Sequence, residues 1–252
     1  MGRNRRALKY GRKMGIEKDD LDKINMCLEK VFYLFKSKGL KSIYLWGTVL
    51  SDEYLPNNSD VDSIGIVDDS ASKNDERKIR QLIKRLAPEI KDFNFNYLYL
   101  SELNGGKIRS NLANNINPRL LLLDFNYWKH VAGKKFLRRQ FNIRQISFNK
   151  AIELQSKQIY DFCLPKIEKG DYFQIPYFAK RIMKICHYLN QKEKGKHRFS
   201  YRGLILNSPV RRKKIAKKLL FLKKHNWDKN ILKRNLPAFK KFLRGIEDSL
   251  SA

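Results

Sequence analysis

Residues 46–67 read WGTVLSDEYLPNNSDVDSIGIV, and the two aspartates in this stretch decide how the chain is interpreted. Asp60 and Asp62 directly precede the apolar run at residues 63–67, which is typical of a buried β-strand. Strand alternation sends residues i and i+2 to the same face, so both carboxylates can reach a common cation. Carboxylates are costly at the start of a half-buried strand unless positive charge compensates them. A metal ion or a basic partner could compensate these two carboxylates, or bulk solvent could hydrate them.

The residues around this pair favour a divalent metal ion and a phosphate group. Magnesium prefers oxygen ligands and bridges carboxylates to substrate phosphates. Gly47 lets the backbone approach a triphosphate closely, and the Thr48 hydroxyl can bind a phosphate oxygen. Between residues 48 and 72 there is no Lys or Arg, whereas four further acids occur nearby: Asp52, Glu53, Asp68 and Asp69. We therefore expect an acidic pocket that binds a cation, with an ordinary solvated turn at residues 58–60 as the alternative.

The composition indicates a folded protein with a polyanionic partner. The chain has 252 residues, of which 42% are apolar and 12% aromatic, as expected for a globular protein. Its 54 Lys and Arg residues exceed its 25 Asp and Glu residues, giving a net charge of +29. This charge favours nucleic acid as the partner, with an anionic membrane surface second. The excess is +5 in residues 1–125 (22 basic, 17 acidic) and +24 in residues 126–252 (32 basic, 8 acidic).

The cysteines and the hydropathy pattern predict a cytoplasmic protein with no membrane partner. Cys27, Cys163 and Cys186 show neither CxxC nor Cys/His metal spacing, which suits a reducing compartment and predicts no zinc site. The basic start of the chain lacks the apolar region of a signal peptide, and no apolar run is long enough for a transmembrane helix.

Periodicity along the chain predicts an α+β domain followed by an all-helical domain. In the first part we expect strands at residues 42–46, 63–67 and 93–100, and helices at 20–38, 74–86 and 120–133. From residue 148 onward the pattern is helical, with segments at 148–168, 175–191, 209–224 and 236–249. The expected organisation is a flexible basic arm at 1–15, a first domain at 16–140 and a basic helical domain at 141–252.

The run SIYLW at residues 42–46, the following Gly47-Thr48 and the later Asp60-Val61-Asp62 resemble the signature of the nucleotidyltransferase superfamily that includes DNA polymerase β. That signature is a strand ending in Gly-Ser, then a loop, then Asp-x-Asp/Glu. Residues 55–62 (LPNNSDVD) look most like the aminoglycoside nucleotidyltransferases and the small stand-alone enzymes of the superfamily. The resemblance implies a nucleotidyltransferase-like domain with a small mixed sheet flanked by helices, followed by an all-helical domain.

The resemblance also implies roles for individual residues. Asp60 and Asp62 would bind Mg²⁺ or Mn²⁺, and Gly47, Thr48 and Ser59 would hold the phosphates of an NTP substrate. Thr48 stands where Ser is usual in these enzymes, a change that keeps the hydroxyl. The loop between Thr48 and Asp60 is one residue longer than the commonest version, which a surface loop tolerates.

Enzymes of this kind normally present a further carboxylate on a neighbouring strand, where it completes the metal site or acts as general base. On the predicted strand at residues 93–100 the inward candidates are Asn94 and Asn96, whose amide oxygens can bind a metal but cannot take a proton. Asp92 shares their face by alternation, and Glu102 follows the strand, so both are candidate substitutes. Either two carboxylates and substrate positioning suffice for phosphoryl transfer, or the chain only binds its ligands.

The second half of the chain carries a dense basic segment. Between Glu193 and Asp228 there are twelve basic residues and no acidic one. On a helix, Ile215 and Leu219 would face a core while the cations line the opposite side, either as a phosphate-facing ridge or as an ordinary solvated face. The density favours RNA, and the predicted acceptor-binding residues are Arg198, Arg202, Arg211, Arg212, Lys213, Lys214, Lys217 and Lys218.

The leading hypothesis is a Mg²⁺-dependent nucleotidyltransferase that passes a nucleoside monophosphate from an NTP to a hydroxyl of RNA. A small hydroxylated acceptor such as an aminoglycoside is the alternative that residues 55–62 favour. Eight acids in residues 126–252 are few for a pocket that binds a cationic drug, so RNA leads. The non-enzymatic alternative is a catalytically reduced RNA-binding or partner-binding module, such as an antitoxin-like component, which the missing third carboxylate supports.

Overall fold

The computed structural model describes residues 16–51, 54, 59–90, 92–195 and 200–251, and the predicted arm at residues 1–15 lies outside them. The chain divides into two compact units, Met1–Gln145 and Ile146–Ala252, and each is described by itself. The sequence analysis places the corresponding boundary between residues 140 and 141. Among the described residues, no helix is both long and apolar enough to cross a bilayer.

The first unit is a mixed sheet with helices. Its elements in chain order are α1 (Lys18–Phe35), β1 (Leu40–Trp46), β2 (Val61–Val67), α2 (Lys73–Leu86), β3 (Phe93–Tyr99), α3 (Leu100–Leu103), α4 (Asn111–Asn115), α5 (Pro118–Asp124) and β4 (Lys129–Gly133). The strands lie in the order β3-β2-β1-β4. β1 is antiparallel to β2 and β4, whereas β2 is parallel to β3. The predicted small mixed sheet flanked by helices is confirmed.

Both faces of this sheet are buried, and the two faces contribute to separate apolar clusters. One cluster joins α1 and α2 to the sheet through side chains such as Leu28, Ile79 and Phe95. The other includes Ile64 of β2 and Trp128, which directly precedes β4. Because both faces are covered, the buried parts of β1 (residues 43–45), β2 (64–67) and β3 (97–99) are continuous runs without charged residues.

The predicted apolar helix at residues 120–133 is wrong over its second half. α5 ends at Asp124, and Lys129–Gly133 forms the edge strand β4. This strand pairs with β1, where Tyr44 faces His130 and the two rings meet edge-on with centroids 5.3 Å apart. Pairing with a strand far earlier in the chain overrides the local helical pattern, because strand formation depends on cross-strand neighbours.

The second unit is all-helical, as predicted. Its helices are α6 (Phe148–Gln158), α7 (Leu164–Glu168), α8 (Ile175–Lys194), α9 (Tyr201–Asn207), α10 (Val210–Lys224) and α11 (Lys229–Ser251). Fully buried side chains on separate helices fill its interior, among them Ile182, Leu204, Leu219 and Phe239. The sequence analysis did not predict α9, and α11 begins earlier than the predicted segment at residues 236–249.

The predicted continuous helix at residues 148–168 is interrupted. Residues Ile159–Cys163 form a π-helical turn between α6 and α7. Pro165 follows this turn and has no N–H to donate to the carbonyl four residues earlier. The hydrogen-bond pattern of the helix changes at this point, as it commonly does at such turns.

A buried carboxylate organises the loop after β3. Glu102 is 1% exposed, and four donors compensate its negative charge. The Tyr99 N–H (2.8 Å) and the Ser110 hydroxyl (2.8 Å) donate to Oε2, and the Arg109 N–H (2.6 Å) and the Ser110 N–H (2.6 Å) donate to Oε1. Glu102 therefore ties the end of β3 to the start of α4.

Replacing Glu102 with Ala should destabilise the protein strongly, because it leaves buried donors without an acceptor. We expect a loss of about 3 kcal/mol in the free energy of unfolding, measured by urea denaturation. Glu89→Ala removes an exposed carboxylate from the same unit and should change stability by less than about 0.5 kcal/mol. Equal effects of the two substitutions would contradict the structural role of Glu102.

Candidate active site

The polar residues singled out in the sequence meet in one row across three strands. In the sheet register, Asp62 of β2 lies opposite Trp46 of β1 and opposite Asn94 of β3. The Asn94 amide Nδ2 donates to Asp62 Oδ1 at 3.3 Å. Asp60 lies just before β2, and the Val61 N–H donates to the Asp92 carbonyl at 2.9 Å, which fixes the two strand starts side by side. Asp62 and Asn94 therefore lie side by side in the sheet, and Asp60 comes just before the start of β2.

The Gly47-Thr48 turn lies against this row. Gly47 has a φ of +80°, a conformation that favours glycine, and a Cβ atom at this position would lie 3.3 Å from Asp62 Oδ2. Residues Gly47–Leu50 form a 3₁₀ turn, and the Ser51 hydroxyl donates to the Thr48 carbonyl at 2.9 Å. Glycine at this position therefore lets the backbone of the turn lie close to the Asp62 carboxylate, which any other side chain would crowd.

Two buried polar atoms next to the turn have no hydrogen-bond partner among the described residues. They are the Thr48 hydroxyl oxygen and the indole nitrogen of Trp46. Buried polar groups are normally paired, and an unpaired one at a functional site commonly marks the place of a missing ligand or water. The motif spacing predicts Thr48 but gives no signal for the Trp46 indole, which also packs edge-on against Trp128 at 6.1 Å.

The chemistry of these residues fits a divalent cation of the Mg²⁺ type. Asp60 and Asp62 offer carboxylate oxygens, which such ions prefer. The space beside Gly47 lies directly against the Asp62 carboxylate. The described residues contain no cluster of three or more His, Cys, Asp or Glu side chains arranged to hold a metal ion. A cation here would therefore rely on two carboxylates together with groups from a substrate or water.

β3 offers Asp62 an amide and no carboxylate. Asn94 faces Asp62, whereas the Asn96 amide oxygen accepts a hydrogen bond from Arg80 Nη2 at 3.0 Å. The Arg80 guanidinium therefore occupies that oxygen in this structure, and the role of Asn96 as a metal ligand stays a prediction. The buried Glu102 carboxylate accepts hydrogen bonds within the loop after β3. Asp92 is exposed and lies just before β3. Asp92 is thus the remaining candidate from the sequence analysis for the third acid.

Arg80, which the sequence did not single out, holds the part of β3 next to the site. Its side chain pairs with Glu76 at 2.6 Å, and its Nε donates to the Phe95 carbonyl at 2.7 Å. Glu76 in turn accepts from the Tyr97 N–H at 3.1 Å. This pair on α2 covers the free edge of β3, as polar residues commonly do at exposed sheet edges. The i,i+4 spacing of Glu76 and Arg80 was the available signal.

The predicted acidic pocket is wrong for two of its four additional acids. Asp68 forms an ion pair with Lys41 at 2.7 Å, and Asp69 forms one with Arg109 at 2.9 Å. The hydrogen bond from Lys41 is the main reason that the pKa of Asp68 is lowered. Both acids follow the far end of β2, about 20 Å along the strand from Asp62. Asp52 and Glu53 lie outside the described residues.

The predicted basic ridge on α10 is smaller than expected. Arg211 donates to the Lys241 carbonyl at 2.9 Å, and Lys218 donates to Asn235 Oδ1 at 2.5 Å. Arg202, Lys214 and Lys217 are exposed and Lys213 is half-buried, whereas Arg198 lies outside the described residues. The expected core face is present, since Ile215, Leu219 and Leu222 are buried.

Arg212, which the sequence predicts to bind the acceptor, is engaged within the protein in this structure. Its guanidinium is buried and binds Glu193 through both nitrogens, with Nη1 at 2.7 Å from Oε1 and Nη2 in contact with Oε2. Such a bidentate pair is among the stronger ion-pair geometries and leaves the guanidinium engaged. The Arg212 hydrogen bonds lower the pKa of Glu193. Charge density in the sequence does not reveal this pair, because Glu193 lies near the end of α8, 19 residues before Arg212.

A mixed sheet with helices followed by an all-helical unit is the architecture that the sequence resemblance implies, and a comparison with solved structures confirms the resemblance at the level of fold. No protein-family model matches the chain, and no curated protein matches it. Among solved structures, the chain is similar to spectinomycin adenyltransferase AAD(9) from Enterococcus faecialis, crystallised with ATP and spectinomycin. The TM-score is 0.52 at 11% sequence identity, and the match covers 94% of this chain and 100% of that chain.

Replacing Arg212 with Ala should lower the free energy of unfolding by about 1–3 kcal/mol, because it removes a buried charged donor from Glu193. Since the pKa of Glu193 is lowered on folding, the pair stabilises above the unfolded pKa and loses its effect as the pH falls. The difference between wild type and variant should therefore shrink below about pH 4. Urea denaturation at pH 7 and pH 3.5 measures this difference.

Lys214→Ala is the matched control for Arg212→Ala, because Lys214 is an exposed cation on the same helix. It should leave stability within about 0.5 kcal/mol of wild type at both pH values. A pH-independent loss in Arg212→Ala would mean that packing and not the ion pair supplies the stabilisation.

Proposed function

We propose that this protein transfers a nucleoside monophosphate from an NTP to a hydroxyl group of RNA: the hydroxyl oxygen bonds to the α-phosphorus, the α–β phosphoanhydride bond breaks, and pyrophosphate leaves. The observation that carries the proposal is the position of the Asp62 carboxylate, which accepts a hydrogen bond from Asn94 and lies so close to the Gly47 turn that a Cβ atom there would be 3.3 Å from its Oδ2. A carboxylate next to a glycine turn is suited to the triphosphate of a nucleotide, because the backbone can approach the phosphates closely. The ATP in the similar adenyltransferase structure supports an NTP as the donor.

Asp60 and Asp62, with the Asn94 amide as a further oxygen donor, would hold Mg²⁺ or Mn²⁺ in this enzyme. Such an ion, held by these residues, would supply positive charge against the negative charge that develops during transfer. Gly47, Thr48 and Ser59 would position the phosphates. Positioning and charge compensation supply most of the catalysis of phosphoryl transfer, so an amide in place of a third carboxylate is compatible with activity.

Asp92 is the proposed general base. It is exposed, and its backbone carbonyl binds the Val61 N–H next to Asp60. A carboxylate at the start of β3 can accept a proton from an attacking hydroxyl, which Asn94 cannot do. Asp92 is therefore the described residue through which a hydroxyl acceptor would be activated.

The proposed acceptor is RNA because the second unit offers few carboxylates to a cationic drug. It contains eight acidic residues, and three of them form ion pairs: Glu153 with Lys150, Glu168 with Lys240 and Glu193 with Arg212. Asp171 and Asp228 accept hydrogen bonds from backbone N–H groups at helix starts. Five of the eight acids are thus engaged, whereas many cations on the same unit are exposed, and this balance suits a polyanion.

Asp62→Asn should lower nucleotidyl transfer by about 10³-fold, because it removes a carboxylate from the cation and phosphate site. Asp92→Asn should lower it by about 10²-fold, as expected for loss of a general base. The assay incubates the protein with each labelled NTP, Mg²⁺ or Mn²⁺, and either total RNA or spectinomycin. Asp22→Asn changes an exposed acid of α1 in the same way and should keep full activity.

Label on spectinomycin and none on RNA would overturn the proposed acceptor and favour the small-molecule alternative. Absence of label on both, with RNA still retarded in a gel, would overturn transfer and favour the binding module. Equal activity of Asp62→Asn and wild type would place the reaction elsewhere in the molecule.

Gly47→Ala should lower transfer by at least about tenfold, because its Cβ atom would lie 3.3 Å from Asp62 Oδ2 and displace that carboxylate. Alanine is also strained at a φ of +80°, by about 1–2 kcal/mol. Gly170→Ala is the matched control, since Gly170 has a φ of +94° and no atom within 4 Å of the new Cβ. Both variants should lose similar stability in a thermal melt, and only Gly47→Ala should lose activity.

A further inference from the structure

An aromatic surface on the second unit is exposed beside lysines. A 3₁₀ turn at Tyr172–Gln174 leads directly into α8, so Phe173 and Tyr177 lie four residues apart on one face of a continuous helical segment. Phe173 is 88% exposed and Tyr177 is 59% exposed. Single exposed aromatics are common on protein surfaces, but two in adjacent helical turns form a patch.

Lysines of α11 lie over the ring that precedes this pair. The ammonium nitrogens of Lys229 and Lys233 are 5.7 Å and 5.5 Å from the centre of the Tyr172 ring. Both lysines are exposed and occupy the same face of α11, since they are four residues apart. Tyr172, Phe173 and Tyr177 together with these two lysines are called the aromatic–lysine surface.

The acidic residues next to the aromatic–lysine surface are already engaged. Asp171 accepts from the Phe173 N–H and from the Gln174 amide, each at 3.2 Å. Glu168 forms an ion pair with Lys240 at 2.6 Å. Lys240 thus neutralises Glu168, whereas Asp171 keeps its charge and binds donors of its own turn.

We propose that the aromatic–lysine surface binds single-stranded RNA by stacking unpaired bases on Phe173 and Tyr177 while Lys229 and Lys233 contact the phosphates. This inference rests on RNA being the acceptor in the proposed function and names the part of the molecule that holds it. Exposed rings beside cations are the arrangement that single-stranded nucleic acids require, because each base offers a flat apolar face and each phosphate a charge. Bases in a duplex are already stacked on one another and cannot use such rings.

A protein partner fits this surface less well. The buried centres of protein interfaces are depleted in lysine, whereas here two lysines lie over the ring of Tyr172, which directly precedes Phe173 in the chain. The lysines keep their charge in water and would have to be desolvated against another protein. Against RNA the same charges meet phosphates.

The test measures binding of a fluorescent 12-nucleotide RNA by anisotropy, beside the same strand in a duplex. Phe173→Ala combined with Tyr177→Ala should weaken single-strand binding at least tenfold and leave duplex binding within twofold of wild type. Phe173→Trp with Tyr177→Phe keeps both rings and should retain the affinity. Circular dichroism establishes that each variant is folded.

Tyr33→Ala is the matched control, because Tyr33 of α1 is 69% exposed and also has a lysine, Lys36, over its ring at 4.5 Å. It should not change RNA binding. Lys229→Ala with Lys233→Ala should lower the slope of log affinity against log salt by about 1.4, at about 0.7 per phosphate contact.

Wild-type affinity of the double-alanine variant for the single strand would overturn the inference. So would a concentration-dependent dimer in wild type that this variant loses, since the surface would then join two copies of the chain. Binding does not depend on catalysis. If the wild-type protein binds the single strand through the rings but transfers no label to RNA, only the proposed function is overturned. If the variant without Phe173 and Tyr177 rings still transfers label to RNA at the wild-type rate, only this inference is overturned.

Discussion

The register of β2 against its two neighbours is the constraint on which the candidate site depends. Side chains alternate along a strand, so a slip of one residue would exchange the faces of Asp62 and Ser63. The Asp62 carboxylate would then be buried in the core that the sheet forms with α1 and α2. Two hydrogen bonds oppose that slip. The Val61 N–H donates to the Asp92 carbonyl at 2.9 Å, and the buried Ser63 hydroxyl donates to the Asn94 carbonyl at 2.8 Å. The site is therefore positioned by the buried face of the sheet.

The strands and the motif could be predicted because their signals are local. An apolar run, a glycine turn and alternating aspartates lie within residues 42–67, and the fold places them as expected. The partners of Asp68 and Asp69 could not be predicted in this way, because Lys41 and Arg109 are distant in sequence. The absence of basic residues from a stretch of sequence says nothing about cations that other elements bring to it.

The same limit explains the errors in β4 and α10. Lys129–Gly133 is a strand because β1 offers it a free edge, a fact that no window around residue 130 contains. Arg212 resembles its basic neighbours in the sequence, and only the packing of α8 against α10 shows that Glu193 engages it. Charge density along a helix thus predicts the sign of a surface well and the role of a single residue poorly.

The excess of positive charge in the second unit affects its stability. An excess of positive charge destabilises a compact state through self-repulsion, and here the acids that could offset it are few and mostly used in ion pairs and helix starts. A polyanion that binds the folded unit more tightly than the unfolded chain would stabilise it by mass action. Exposed lysines such as Lys214 and Lys217 are the cations that such a ligand would neutralise.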